Sequence, residues 1–291
     1  MRIIAALLLL LSASACNNNQ DADKNLVASA STGAPAKTEK PAVVVPEIKT
    51  GLEGFYTGPF VAVEIKENSE VFDNRITIAI DSVVNEQLHG RSIVAGNERV
   101  FTGKMVKKDD HFVADATEPG DHKYDGSFHF TIYPENKTIK GSWVANDSKL
   151  AVTKRDYELK LREYKYDPDK NLPEDVVGMM MHGTYSEDSE KAEAITEDAL
   201  KKNASKEVLK SSDVENMYKA DLEVMRNAIY ARHGYSFKNV RMRLLFDNYV
   251  DWYMPVSTNV SSLLTEVEKK NIALIKRYEA HATKYYDVFG R

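Results

Sequence analysis

The sequence predicts an α+β chain with two folded domains, an antiparallel β-domain followed by a small all-α domain. Apolar residues alternate with a period of two between about residues 51 and 165, and they recur at helical spacing between about residues 211 and 282. Alternation places every second side chain on one face of a strand, whereas steps of three and four residues place side chains on one face of a helix. The change of period along the chain therefore predicts two domains of different class.

The strand pattern in the β-domain is clearest in two segments. "RITIAIDSVV" places Ile76, Ile78 and Ile80 on one face, and "SFHFTIYP" does the same with Phe128 and Phe130. Turn-forming groups such as "AGNE", "EPGD" and "PENK" recur roughly every 8 to 12 residues, which is typical of an antiparallel meander. We predict about eight strands that close into a barrel, because closure removes exposed strand edges; an open sandwich is the alternative.

Residues 166–210 are predicted to connect the two domains. The prolines in "YDPDKNLPED" are typical of a linker. The continuous apolar run in "VVGMMMHGTY" favours a strand, and "ITEDALKKNA" favours a short helix that begins near Thr196.

Three amphipathic helices are predicted in the C-terminal domain, residues 211–282. The first ends at Gly234, a residue that favours the conformation found just past a helix C-terminus, and the second stops before Pro255. The third begins with Thr265 and Glu268 in the spacing of a capping box. The predicted apolar faces are Leu222, Met225, Ala228 and Ile229 in the first helix, Met242, Leu245, Phe246 and Tyr249 in the second, and Val267, Asn271, Leu274, Ile275 and Tyr278 in the third.

Residues 1–16 are typical of a bacterial lipoprotein signal peptide. Arg2 precedes an apolar run, and the small residues before Cys16 resemble a lipobox. Cys16 is the only cysteine in the chain and has no disulfide partner, so we expect it to be lipidated; an ordinary secretory signal is the alternative. Acyl chains on Cys16 would anchor the protein without a transmembrane helix.

The expected location is the bacterial cell envelope, with the membrane as a partner through the lipid anchor. Asn17 directly follows Cys16, which by resemblance to lipoprotein sorting signals favours the outer membrane. Residues 17–50 have no apolar period and are predicted to form a flexible linker, because they can bury too little apolar surface to become ordered.

The charge of the chain argues against a nucleic-acid partner. The net charge is −5 and the pI is about 5.9, whereas affinity for a phosphate backbone depends on clustered Lys and Arg. The chain is 43% hydrophobic and 29% charged, which are ordinary values for a globular protein, so we expect a packed core without disulfides.

Several separated motifs in the C-terminal domain resemble the YARHG domain, a bacterial extracytoplasmic module. They are "RNAIYARHGYSF", the aromatic pair in "DWYMP" and "LTEVEKKNIALIKRYE", and they cover about Ser211 to Glu279. One departure is Met254, where the family is expected to have a polar residue. The resemblance implies that the characteristic positions are Arg226, Asn227, Tyr230, Ala231, Arg232, His233, Gly234, Phe237, Phe246, Trp252, Tyr253, Pro255, Glu268 and Asn271. It implies no particular reaction, because both cell-wall binding and an enzymatic role have been suggested for the family.

The motif residues support two interpretations. In the first, Arg226, Tyr230 and His233 lie at i, i+4 and i+7 on one helix face and present their polar groups to an anionic or sugar-like ligand. In the second, His233 interacts with the negative C-terminus of the helix, and Arg226 pairs with Glu268 or Glu279. We favour the second, structural interpretation, because polar and aromatic groups at a helix end often serve packing and capping.

Asn271 supports the structural interpretation. It falls on the apolar face of the third helix, where a buried amide must find hydrogen-bond partners. We expect these partners at the ends of the first helix or in the loop Trp252–Pro255. A network that joins Asn271 to Arg226 and Asn227 would fix the register of the helices.

The sequence leaves any catalytic residue unidentified and indicates no metal site and no cofactor. The acidic loop "EPGDHKYDG" either holds calcium or solvates a long hairpin, and we expect the latter. The residues concerned are Glu118, Asp121, His122 and Asp125. Aromatic residues of the β-domain either fill the barrel or line a site for one small ligand, and we expect a filled core. These residues are Phe55, Tyr56, Phe60, Phe128, Phe130 and Trp143.

We therefore expect an envelope-anchored, non-enzymatic binding module whose partner is peptidoglycan or an envelope protein. Two alternatives remain open. In one, the chain hydrolyses a wall-derived substrate with His233 as general base and with Arg232 or Arg226 holding an anionic group. In the other, the β-barrel carries a small apolar ligand.

Overall fold

The computed structural model describes residues 51–179, 181 and 194–285. The predicted signal peptide, the lipid attachment at Cys16 and the linker over residues 17–50 lie outside the described residues and stay predictions. Among the helices that the structure describes, none is long and apolar enough to cross a membrane.

Eight antiparallel strands form a closed barrel in which neighbours in the chain are neighbours in the sheet. The barrel closes between its first and last strands, where Phe60 lies opposite Tyr157. This confirms the predicted barrel and decides against the open sandwich. The strands are β1 (Gly54–Ile65), β2 (Asn74–Val84), β3 (Gln87–Val94), β4 (Asn97–Lys108), β5 (His111–Thr117), β6 (Gly126–Tyr133), β7 (Thr138–Ala145) and β8 (Val152–Arg162).

The alternating apolar side chains fill the barrel interior. Ile76, Ile78 and Ile80 of β2 are at most 2% exposed, and Phe128 of β6 is equally buried. Because successive residues of a strand point to opposite faces, alternation in the sequence becomes an apolar interior. The predicted filled core is confirmed, and of the six aromatic residues named above all but Phe55 are buried.

The C-terminal domain contains the three predicted amphipathic helices, preceded by the predicted short helix. The helices are α1 (Asp198–Lys201), α2 (Lys219–Arg232), α3 (Val240–Tyr249) and α4 (Glu266–Tyr285), and single 3-10 turns lie at Glu174–Val176, Ser211–Asp213 and Ser261–Leu263. α4 begins with the predicted capping box. The Thr265 amide donates to Glu268 Oε2 at 2.9 Å, and the Glu268 amide donates to Thr265 Oγ1 at 3.2 Å.

Two local predictions were wrong. Tyr249, placed on the apolar face of α3, is 45% exposed, because it is the last helical residue and lies beyond the core that Met242 and Phe246 enter. The strand predicted in "VVGMMMHGTY" does not form in the described part of that stretch. Val176 ends a 3-10 turn there, and Gly178 has a φ of +82°. A short apolar run without a clear period does not distinguish a strand from a turn.

Polar contacts join the helical domain to the barrel at β2 and at the turn after β3. The Arg75 guanidinium of β2 donates to the Tyr253 carbonyl oxygen at 2.7 Å, and the Arg75 amide donates to Asp247 Oδ2 at 2.9 Å. The Gly96 amide donates to Ser236 Oγ, also at 2.9 Å. These bonds hold the segment around α3 against one end of the barrel.

Candidate functional site

The characteristic motif lies where α2 ends and the chain reverses direction. α2 ends at Arg232, and Gly234 has a φ of +71°, a conformation that other residues rarely adopt. A Cβ atom on Gly234 would lie 2.3 Å from Val256 Cγ2, so packing also requires glycine here. The Gly234 carbonyl oxygen accepts from the amides of Val256 and Ser257 at 2.8 and 3.1 Å. The turn therefore ties the end of α2 to the segment that leads to α4.

His233 lies in the interior of the helical domain. It is 3% exposed, and its Nε2 is 2.7 Å from Oε2 of Glu268, whose side chain is fully buried. Because a carboxylate can only accept, Nε2 carries the hydrogen and donates it. The ring of Tyr166 stacks on the imidazole with the centroids 4.3 Å apart, and the Tyr166 hydroxyl donates to Glu268 Oε1 at 3.1 Å. His233 thus joins α2 to α4 and to the connecting segment.

These donors keep Glu268 ionised. Burial raises the pKa of Glu268, but the hydrogen bonds from His233, the Thr265 amide and Ser205 outweigh burial and lower the pKa to about 2. A buried carboxylate is stable only when donors replace its water. The characteristic glutamate and histidine are therefore one structural unit.

Arg232 is buried as well and binds the connecting segment. It is 5% exposed, its Nε donates to the Lys170 carbonyl oxygen at 2.7 Å, and its Nη1 donates to Ser205 Oγ at 3.3 Å. The guanidinium lies 5.9 Å from the ring centroid of Trp252, whose Nε1 donates to the Asn171 carbonyl oxygen at 2.7 Å. Burial lowers the pKa of Arg232 to about 10, so the side chain stays charged at neutral pH. Arg232 and Trp252 together hold the connecting segment against α2.

Asn271 is 1% exposed and also binds the connecting segment. Its Oδ1 accepts from the Leu209 amide at 2.9 Å, and its Nδ2 donates to the carbonyl oxygens of Ala204 and Glu207, both at 2.7 Å. The prediction that Asn271 binds the ends of α2 or the loop 252–255 was wrong. α4 instead meets an irregular loop whose backbone groups need partners from outside their own segment.

Arg226 pairs with Glu279 of α4, which is one of the two partners that the structural interpretation predicted. Its Nε lies 3.0 Å from both carboxylate oxygens. Asn227 Nδ2 donates to the Glu223 carbonyl oxygen one turn earlier, at 2.8 Å. The predicted network that would join Arg226 and Asn227 to Asn271 does not form among the described residues, because Asn271 faces a different loop.

The structure separates the three residues predicted to share one ligand-binding helix face. Arg226 and Tyr230 line an open groove of about 430 Å³ on the helical domain, whereas His233 is buried and is not part of the groove lining. The remaining lining residues are Asn227, Tyr235, Phe237, Lys238, Asn239, Thr258, Asn259, Val260 and Ser261. The motif therefore has a buried part, around His233 and Arg232, and an accessible part in this groove.

Two tyrosines give the groove hydrogen-bonding groups that the protein does not use. The rings of Tyr230 and Tyr235 have centroids 6.1 Å apart, and within the described residues neither hydroxyl has a hydrogen-bond partner. The backbone of Tyr235 is fixed by Tyr253, which is 1% exposed and whose hydroxyl donates to the Tyr235 carbonyl oxygen at 2.7 Å. Lys238 and Asn259 are exposed at the same groove. The groove thus offers aromatic rings, hydroxyls, an amide and a cation to a ligand.

The acidic loop after β5 is engaged in internal bonds. Asp125 has a fully buried side chain and forms an ion pair with Arg99 at 2.8 Å. Glu118 is 6% exposed and accepts from Ser92 Oγ at 2.7 Å and from the Gly126 amide at 2.8 Å. The expectation of a solvated hairpin was wrong for Glu118 and Asp125, because this loop meets an arginine and backbone donors. In the described residues, no group of three metal-binding side chains occurs.

Sequence reasoning missed the residues of the connecting segment that complete the buried motif. They include Tyr164, whose hydroxyl donates to the Arg232 carbonyl oxygen at 3.0 Å, and Tyr166, which binds Glu268. The only signal was a pair of tyrosines at i and i+2 directly after the last strand, in "EYKYDPDKN". That pattern does not identify partners on helices far away in the sequence.

Comparison with known proteins identifies the helical domain. No curated protein matches the chain. A family model, the YARHG domain, matches residues 197–280. The matched range begins before the motifs that carry the resemblance in the sequence, and it includes α1 and the loop that binds Asn271. The chain therefore contains a YARHG domain, at residues 197–280.

Proposed function

We propose that the chain is a non-enzymatic binding module of the bacterial cell envelope, and that the groove beside the YARHG motif binds peptidoglycan. The observation that carries this proposal is the pair of hydroxyls on Tyr230 and Tyr235, which line the groove without a partner in the described part of the chain. A YARHG domain fits an extracytoplasmic binding module. Groups that are preorganised but unused in the free protein are available to a ligand.

The lining of the groove suits a glycan with peptide stems. Aromatic side chains present flat apolar faces to sugar rings, and their hydroxyls bond with sugar hydroxyl and acetamido groups. The exposed side-chain amide of Asn259 adds the Nδ2 donor, whereas its Oδ1 already accepts from the Ser261 amide at 3.0 Å. Lys238 at the same groove complements the carboxylates of the stem peptides. This combination of rings, neutral polar groups and one exposed cation favours peptidoglycan over an apolar protein surface.

The position of His233 supports binding rather than hydrolysis. Its Nε2 is engaged by Glu268 at 2.7 Å, and its side chain is 3% exposed. The described residues that line the groove include no histidine, cysteine, aspartate or glutamate, so the hydroxyls of Thr258 and Ser261 have no imidazole or carboxylate base among these lining residues. A ligand in the groove would therefore meet hydrogen-bonding groups and aromatic rings without an acid–base pair.

Co-sedimentation with purified sacculi tests the proposal. Tyr230→Phe combined with Tyr235→Phe removes only the two hydroxyls, and we expect an apparent affinity about tenfold weaker, from the loss of two hydrogen bonds. Adding Lys238→Ala should weaken binding further and reduce its dependence on salt. Tyr133→Phe combined with Tyr249→Phe is the matched control, because these tyrosines lie outside the groove, and it should sediment like the wild type.

Four outcomes of this experiment would count against the proposal. The groove is not the binding site if wild type and double variant sediment equally, or if binding is lost only together with a lowered melting temperature. Soluble muropeptides released from the sacculi by the wild-type protein would support the hydrolase alternative instead. Sedimentation that is weak for the wild type and the control alike would favour an envelope protein as the partner.

We further propose that Cys16 anchors the module to the outer membrane. The apolar run before Cys16 and the absence of a second cysteine in the sequence support a lipid attachment. Labelled palmitate should be incorporated into the wild-type chain and not into Cys16→Ser. Incorporation into both proteins would rule out Cys16 as the attachment site.

A further inference from the structure

A cavity of about 300 Å³ lies at one mouth of the barrel, where α3 approaches the strands. Phe60, Trp143 and Arg155 line it from the barrel, and Arg243 lines it from α3. Tyr124, which is 51% exposed, also lines the cavity, so solvent reaches it. Ligand sites are commonly clefts of roughly this size, and barrel mouths are one of their usual positions.

Part of the cavity wall is aromatic. The rings of Phe60 and Trp143 meet edge to face with centroids 5.9 Å apart, and Phe128 lines the same cavity. The three side chains are 2% to 7% exposed, so the barrel core holds them in place. Such a wall suits the planar or apolar body of a small molecule.

Another part of the wall has two guanidinium groups that form no ion pair with any described residue. Arg155 donates to the carbonyl oxygens of Phe60 and Phe72 at 2.8 and 3.2 Å, and Arg243 donates to the Lys238 carbonyl oxygen at 2.8 Å. Burial lowers the pKa of Arg155, the negative charge of Asp73 opposes this effect, and the positive charge of Arg243 lowers the pKa further. Two arginines that line the same cavity and form no ion pair with a described residue favour an anion.

Two buried polar atoms at this cavity have no hydrogen-bond partner in the described chain. They are Nε of Arg243, a donor, and Oδ1 of Asn74, an acceptor. Nδ2 of Asn74 and Nη2 of Arg155 both donate to the Phe72 carbonyl oxygen, at 3.5 and 3.2 Å, so Asn74 and Arg155 share one corner of the cavity. A buried polar atom without a partner is destabilising, so these two atoms, one of which belongs to an arginine without an ion pair, favour a ligand that completes the site.

The other charged groups of the cavity are satisfied by the protein itself. Arg99 pairs with Asp125 at 2.8 Å, and Glu118 accepts hydrogen bonds from a neighbouring hydroxyl and a backbone amide. The charges of Asp73 and Asp247 act on Arg155 and Arg243 without an ion pair in the described chain, and both carboxylates accept backbone amide hydrogens. The corner formed by Asn74, Arg155 and Arg243 therefore remains available.

We propose that this cavity binds a small organic acid. Its carboxylate or phosphate lies between Arg155 and Arg243, a hydroxyl or N–H group donates to Asn74 Oδ1, and a ring packs against Phe60 and Trp143. The ligand differs from the small apolar molecule that the sequence suggested for the barrel, because apolar side chains fill the interior and the cavity lies at the mouth, beside the arginines. The proposal does not depend on the groove at the YARHG motif.

Isothermal titration calorimetry on the full chain tests the charge of the ligand. 4-Hydroxyphenylacetate and phenyl phosphate distinguish a carboxylate from a phosphate, and 4-hydroxyphenylacetamide has the ring and the hydroxyl without the charge. We expect the dissociation constant of at least one acid to be lower than that of the amide by a factor of about ten or more, because only the acid forms charge-assisted hydrogen bonds. Equal affinity of acid and amide, or no binding of either acid at millimolar concentration, would overturn the proposal.

Variants of the polar corner test the position of the ligand. Asn74→Leu removes an acceptor that has no partner in the described chain, so we expect an unchanged or higher melting temperature and about tenfold weaker binding of the acid. Arg243→Met should weaken binding of the acid by at least the same factor and leave binding of the amide unchanged. Arg277→Gln changes an exposed arginine of α4 and should alter neither affinity nor melting temperature. Wild-type affinity in both Asn74→Leu and Arg243→Met would place the ligand elsewhere.

Discussion

His233 and Glu268 form the most deeply buried histidine–carboxylate hydrogen bond among the described residues, with 3% and 0% of their side chains exposed. The pair of His129 and Asp115 on the barrel surface has similar chemistry but is 65% and 75% exposed. A buried pair depends on hydrogen bonds that replace water, whereas an exposed pair is solvated in any case. His233 therefore matters for stability because α2, α4 and the connecting segment meet at this residue.

We predict that His233→Ala lowers the free energy of unfolding by about 3–5 kcal/mol, because Glu268 is left as a buried carboxylate without its imidazole donor. The loss of stacking with Tyr166 acts in the same direction. His129→Ala is the control and should change the free energy by less than about 1 kcal/mol. Urea unfolding followed by circular dichroism measures both variants. Equally small changes in the free energy of unfolding of the two variants would contradict the structural role of His233.

The helices and strands could be predicted because each has one face in a core, and that face produces a period in the sequence. Ile76 and Ile78 in β2, and Leu222 and Met225 in α2, are all at most 2% exposed, as their spacing predicted. The partners of Asn271 could not be predicted, since they are backbone groups of an irregular loop that lies 62 to 67 residues earlier. Such contacts depend on the tertiary placement of two segments, and no local pattern encodes them.

The chain reverses direction at Gly234, at the end of α2. Substitution of this glycine shows whether the reversal depends on close packing as well as on the positive φ. We predict that Gly234→Ala lowers the free energy of unfolding by about 2–4 kcal/mol. The new Cβ would lie 2.3 Å from Val256 Cγ2, in a backbone conformation that alanine disfavours. Gly120→Ala is the matched control, because its φ is +82° but its nearest neighbour would lie at 3.9 Å. We expect Gly120→Ala to lower the free energy of unfolding by about 1 kcal/mol, because only the unfavourable backbone conformation acts there. Equal melting temperatures for the two variants would show that the contact with Val256 has no energetic consequence.

In the whole molecule, the helical domain covers one end of the barrel, and the sequence could not show which end. The contacts use single polar groups, such as the Arg75 guanidinium, the Gly96 amide and the Asp247 carboxyl, which leave no period in the sequence. The arrangement brings Arg243 of α3 to the barrel mouth, where it lines the cavity together with Arg155. The proposed acid site therefore exists only when both domains are in place.

Asp247 makes this contact between the domains sensitive to pH. Burial raises the pKa of Asp247 to about 7, although the Arg75 amide and the charges of Arg75 and Arg243 oppose the effect. Tyr253, from the loop after α3, is buried against the same carboxyl. An aspartate in the unfolded chain titrates near pH 4, so the folded state binds more protons between about pH 4 and pH 7. The contribution of Asp247 to stability is therefore complete below about pH 4 and is lost as the pH rises through about 7.

We predict that Asp247→Asn removes this decline, because asparagine keeps an acceptor for the Arg75 amide but cannot ionise. Relative to the variant, the wild type should lose about 2 kcal/mol of unfolding free energy between about pH 5.5 and pH 8. Glu268, with its pKa lowered to about 2, is ionised in both the folded and the unfolded state in this range, so its contribution does not change. Urea unfolding across this range measures the difference, and Asp156→Asn, at an exposed position of β8, should parallel the wild type. A difference between wild type and Asp247→Asn that stays constant with pH would show that Asp247 does not titrate in this window.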